Sequence, residues 1–185
     1  VIEDQAPVQL AAEAASHSFC GGQWGSIIKL ADNSYVVGWL SREVAPSSPM
    51  TPLRRASDVA MLRLSSDRQP LGKKRWLIET PSFGETNLHF ARYGTSRVLM
   101  VWDRIDNLRC GDADQTCFGR YAGTFARVMD ADGNVLIRDT QIAAVPNGYD
   151  DLQTLADGSV AWAFVPDEGR DYSSPLASDQ YGNVR

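Results

Sequence analysis

The sequence predicts an all-β protein, and three observations carry that prediction. The chain repeats: residues 27–39 return as 90–102 and again as 152–164, each copy closing on an aromatic, Trp39, Trp102 and Phe164. A period of roughly 63 residues makes each copy a supersecondary unit that must stack on its neighbours to bury its faces. Within each copy apolar and polar residues alternate as in strands, and Gly, Asn, Asp and Ser fall where hairpins must turn. Inner runs such as Val36-Val37 and Val98-Leu99-Met100-Val101 are apolar on both faces, as in sheets covered on either side.

The first unit reads as strands at 26–30 and 35–41, joined by a turn at Ala31-Asp32-Asn33-Ser34, then a polar, Pro-rich loop over 42–57. Strands at 58–64 and 74–79 follow, joined by the turn Ser65-Ser66-Asp67-Arg68-Gln69. The second unit repeats that order with strands at 88–93, 97–104, 121–129 and 135–144, a cysteine-bearing loop over 107–120, and a turn at Asp130-Ala131-Asp132-Gly133-Asn134. The third opens at Asp150-Asp151 and runs through Leu155-Ala156-Asp157-Gly158-Ser159 to Phe164, and its alignment stops at the start of a third strand near Gly182. Residues 1–23 fit no unit and read as an extension, a short Ala-rich helix or an outer strand.

Four antiparallel strands per unit, repeated, are what the blades of a β-propeller require. The expected organisation is an N-terminal extension or outer strand at 1–23, blade 1 at 24–86, blade 2 at 87–150 and a partial blade 3 at 151–185. A third unit that stops partway leads to the expectation that another polypeptide, or further copies of this one, completes the ring.

Composition narrows the function classes. At 185 residues and 43% hydrophobic the chain can bury a sizeable core. A net charge of −5, with the 18 Lys and Arg scattered, argues against a nucleic-acid partner. No apolar run approaches the roughly 18 residues that span a bilayer. Cys110 and Cys117 bracket a short polar segment, a spacing suited to a local disulfide in an oxidising compartment. The alternative is a pair of reduced loop thiols, and Cys20 is left as a small apolar residue.

The strands around Leu155-Ala156-Asp157-Gly158-Ser159-Val160-Ala161-Trp162 and Arg127-Val128-Met129-Asp130-Ala131-Asp132-Gly133-Asn134-Val135-Leu136 resemble the repeat modules of secreted and cell-surface bacterial proteins, which are propeller-like. The resemblance covers residues 24–185 and implies a secreted, periplasmic or cell-surface location. It carries no catalytic residues, because the matching positions are strand and turn positions. The turn at Ser65-Ser66-Asp67-Arg68-Gln69 is similar to the Asp-box turn of sialidases, but has Gln69 where Gly is expected and its aromatic, Trp76, too late. The turn at 130–134 is similar to a blade turn of quinoprotein dehydrogenases, without their tryptophan-docking residues.

Candidate chemistry is sparse. Asp130, Asp132 and Asn134 alternate as calcium-loop ligands do, against the reading of a plain hairpin turn. Asp112 and Asp114 give the cysteine loop a similar acidic character. Beyond calcium the sequence predicts no cofactor. Asp150 and Asp151, as successive residues of an extended segment, diverge, which favours a rim role over acid/base work. Neither His17 nor His89 has an identifiable nucleophile and orienting acid, and no Gly-x-Ser-x-Gly occurs. Trp39, Trp102 and Phe164 share one repeated position and read as packing between blades. Trp24 and Trp76 lie at unit edges, and Tyr149, Tyr172 and Tyr181, in loops or at strand starts, are the aromatics left for a recognition surface.

The sequence therefore reads as a non-catalytic extracellular segment for protein or glycan binding and assembly, using the loops at 42–57, 107–120 and 167–179. The alternative is part of a propeller enzyme, sialidase-like or quinoprotein-like, with its site in the central channel.

Overall fold

A computed structural model of the chain describes residues 25–41, 58–79, 83–110, 117–146 and 151–166. These residues form strands and turns only, so the all-β expectation holds. Strands β1 (Gly25–Lys29), β2 (Tyr35–Ser41), β3 (Asp58–Leu64) and β4 (Arg75–Ile78) make one antiparallel sheet in chain order. Strands β5 (Phe83–Tyr93), β6 (Arg97–Cys110), β7 (Cys117–Asp130) and β8 (Val135–Ile142) make a second with the same order. The rest is two short pairs: β9 (Ala144–Pro146) with β12 (Phe164–Pro166), and β10 (Gln153–Thr154) with β11 (Val160–Ala161).

Four of the hairpins close in one way. At 30–34, 65–69, 130–134 and 155–159 the first residue's N–H donates to the fifth residue's carbonyl, and the fourth residue's N–H donates back to the first carbonyl, at 2.8–3.1 Å. That leaves three residues in the loop and forces the fourth into the left-handed region. The residues there are Asn33 (φ 66), Arg68 (φ 66), Gly133 (φ 81) and Gly158 (φ 83), so glycine takes the position twice.

Strands β5, β6 and β7 of the second sheet divide their side chains between two cores. Leu88, Phe90, Val98, Met100, Trp102 and Met129 face the first sheet and join Leu30, Val36, Leu40, Val59, Met61 and Ile78 in one cluster. The intervening residues Ala91, Val101, Leu99 and Ala126 face the other way and pack with Leu152, Val160 and Trp162 of the third repeat. The strict alternation along Val98-Leu99-Met100-Val101-Trp102 places this sheet between two neighbours. The close approach of the two large sheets depends on Gly38, where a Cβ would lie 2.3 Å from the Phe90 ring. On β1, Ser26 Oγ accepts the Phe90 N–H at 2.9 Å.

Several expectations are corrected. The strands of the second unit are longer than their alternation indicates: β5 begins at Phe83, while β6 and β7 extend through the expected 107–120 loop as far as Cys110 and Cys117. Backbone pairing across the hairpin carries these polar stretches, which hydrophobic alternation cannot detect. The expected strand at 135–144 ends at Ile142, and β9 turns away to pair with β12. The third repeat's strand breaks at Trp162, whose indole N–H reaches the Ala144 carbonyl at 3.2 Å. As a result the three repeated aromatics are not equivalent: Trp102 is fully buried, Trp39 is half-buried and Phe164 is 56% exposed. The last strand of the second sheet, β8, also exposes Val135, Leu136 and Ile137 in succession.

Candidate functional site

The calcium candidate is a turn whose oxygens already have partners. Asp130 Oδ1 accepts from the N–H groups of Asp132 and Asn134 at 2.9 Å each, and its Oδ2 accepts from Asn134 Nδ2 at 2.8 Å. Asp132 Oδ1 receives Arg63 Nη1 at 3.0 Å. Arg75 donates to the Asp132 carbonyl and to Asn134 Oδ1 at 3.2 Å. A calcium ion held by all three side chains would compete with two guanidinium groups for these oxygens.

What the turn does in this structure is join the two sheets. Arg63, on β3, reaches Asp132 with one terminal nitrogen and Asp32, in the first turn, with the other at 2.9 Å. The short turns of both sheets therefore gather at one end of the molecule, and the connections at 42–57 and 111–116 leave from the opposite end. Arg127 adds a second link, from β7 to the Leu77 carbonyl of β4 at 2.6 Å. It also pairs with Asp139 at 2.6 Å and lies 5.5 Å above the Trp102 ring.

The turn acids are held charged. The Ser34 hydroxyl, then its N–H, and Arg63 keep Asp32 below the ordinary carboxyl value. The Ser65 hydroxyl does so for Asp67, and the Ser159 hydroxyl and N–H for Asp157. Burial pulls Asp130 upward, but its bonds from Asn134 and Asp132 and the charge of Arg75 outweigh that and leave it lowered.

A polar network that the sequence did not reveal lies on the other face of the second sheet. Register slips between Thr86 and His89 on β5, and between Arg104 and Ile105 where β6 meets β7, bracket Asp103. Asn87, in the left-handed region at φ 52, sits in the first slip. Its Nδ2 donates to Asp103 Oδ2 and to the Pro146 carbonyl of β9, both at 3.0 Å. That fixes the amide, so its Oδ1 faces His89 Nε2 at 2.9 Å and this ring nitrogen carries the proton. The Thr124 hydroxyl donates to Asp103 Oδ1, which leaves the Tyr121 hydroxyl to donate to Thr124 at 2.7 Å. Asn87, His89, Asp103 and Thr124 are each buried to 5% exposure or less. These four side chains are thus withdrawn from solvent, and Asn87 ties β9 to the second sheet. The network's one sequence signal was polar residues inside apolar strands, with an Asn in mid-strand.

The remaining expectations fall elsewhere. Tyr149, Tyr172, Tyr181, Trp24, His17, Cys20, Asp112, Asp114 and Asp150 lie outside the described residues, as do the loops at 42–57 and 167–179. Cys110 and Cys117 face each other in the backbone register of β6 and β7. Asp151 is exposed, and Trp76 is half-buried with Lys74 Nζ 4.6 Å above its ring. Among the described residues no three His, Cys, Asp or Glu side chains gather as metal ligands. Among them, too, no helix is long and apolar enough to cross a membrane. Compared with family models, with curated proteins and with solved structures, the chain matches none.

Proposed function

We propose that the chain is a run of β-propeller blades, two complete and a third begun, serving as a non-catalytic extracellular segment for binding and assembly. Another polypeptide or further copies of the chain complete the ring. One observation carries this reading. By the repeat, Ile27, Val37 and Trp39 stand where Phe90, Met100 and Trp102 stand in the next unit. The latter three are buried against the first sheet, whereas Ile27 is 63% exposed and Val37 and Trp39 are half-buried. The first sheet thus presents the surface on which, one unit later, a preceding sheet is seated. The contacts of β5 with β1 on one side and with β10 and β11 on the other support a stack in which first strands lie side by side.

The partner contacts belong to the end from which the 42–57 and 111–116 connections leave, since the opposite end is occupied by short turns and their arginines. Protein and glycan partners both fit a surface of that kind.

The test is the mass of the native particle beside the denatured mass. A particle heavier than one 20.3 kDa chain, resolving into this chain plus another polypeptide or more of itself, is the expected result. A lone, stable monomer at micromolar concentration would overturn the completed ring.

A further inference from the structure

The hairpin of β6 and β7 outruns its sheet. β5 pairs with β6 no further than Asp106, opposite Phe83, and β8 pairs with β7 no further than Thr124, opposite Ile142. Beyond those points, among the described residues, β6 and β7 continue as a ribbon two strands wide. The ladder slips between Asp106 and Arg109, then resumes for two pairs, Arg109 with Phe118 and Cys110 with Cys117. An isolated two-stranded ribbon is marginal in water, so its far end needs some other restraint.

Two of the chain's three cysteines form the last pair of that ribbon. Residues directly opposed in an antiparallel ladder hold their Cα atoms about 4.5 or 5.5 Å apart, inside the roughly 4.4–6.8 Å that a disulfide spans. We infer that Cys110 and Cys117 form a disulfide that staples the end of this ribbon and fixes its register. A one-residue slip, which would turn every side chain of the ribbon to its other face, is then closed off.

The oxidant is a small disulfide such as oxidised glutathione. One cysteine thiolate attacks it, forms a mixed disulfide and releases one small thiolate. The second cysteine thiolate then attacks the protein sulfur, closes the Cys110–Cys117 bond and releases the other. Two electrons pass to the oxidant, and the protein loses two hydrogen atoms. The ring so closed holds only residues 110–117, and the six residues between the cysteines are ample for a hairpin connection.

The test uses the full chain equilibrated with oxidised glutathione, blocked with an alkylating reagent and digested with trypsin. Both cysteines fall in one peptide, 110–120, because Arg109 precedes Cys110 and the next basic residue is Arg120. The expected peptide is two hydrogens lighter than the dithiol form and unalkylated, and it takes up two alkyl groups after reduction, while Cys20 is alkylated throughout. A peptide that is doubly alkylated after oxidation, or one crosslinked to Cys20, overturns the pairing. Amide exchange is the second readout: exchange at 107–110 and 117–120 slows on oxidation and returns to the reduced rate in the C110S/C117S double variant. Exchange that ignores oxidation overturns the stapling even where the bond forms.

Discussion

Gly38 is the residue that lets the two sheets meet, because any larger side chain there would enter the space of the Phe90 ring. Gly38→Ala is expected to cost about 1–3 kcal/mol by overpacking, read as a lower urea midpoint. Phe90→Leu in the same background should recover part of that loss; a double variant no better than the sum of the single ones would sink the steric explanation. The turn acids set the pH behaviour. Asp32, Asp67, Asp130 and Asp157 are all lowered from 3.8, so their contribution is fully present above that value and is lost as pH falls through the lower folded values. Carboxyl chemical shifts followed on acidification should give four midpoints below 3.8, and a midpoint at or above it for Asp32 would remove Ser34 and Arg63 as its partners. These acids were legible in the sequence because Asp within a Gly, Asn or Ser cluster has a local use, bonding its own backbone two residues on. Gly38 was not, since its reason for being glycine lies 52 residues further along the chain (90 − 38).

At the scale of elements, the strands of the first unit fell within a residue or so of their expected bounds, because each is short, alternating and ended by a turn signal. The second unit was under-read where its strands turn polar, at Gly84-Glu85-Thr86-Asn87 and beyond Arg104. There the pairing is held by ladder bonds and buried side-chain bonds, and hydrophobic periodicity is blind to both. The Asn87, Asp103 and Thr124 network turns that blindness into a prediction. Asp103→Ala takes the acceptor from the Thr124 hydroxyl and one of two acceptors from the Asn87 amide in a buried site, and is expected to cost about 2–4 kcal/mol in urea unfolding. Asn87→Ala also cuts the link to Pro146, so exchange at Ala144 should rise more than exchange at Val98. Equal increases at the two sites would mean that the network stabilises the sheet as a whole and does not anchor β9.

For the whole molecule, the period announced a stack, and the middle sheet is indeed covered on both faces. What the period could not announce is that equal positions meet unequal surroundings. Trp102→Ala is expected to cost about 3–5 kcal/mol, whereas Phe164→Ala should stay within about 0.5 kcal/mol, because only the first is buried. Comparable losses measured by the same unfolding assay would show that Phe164 is covered in the native particle. The candidate site was the least legible part, because its members come from three strands and meet through register slips that leave no pattern along the chain. The bare outer strand β8 has a consequence of another kind. Val135, Leu136 and Ile137 lie exposed on a strand to which no other described strand adds on its outer side. Heat or concentration should therefore find its seed for fibril growth there. The two slips in its pairing with β7, which twist that edge away from flatness, are what slow a second chain from adding to it.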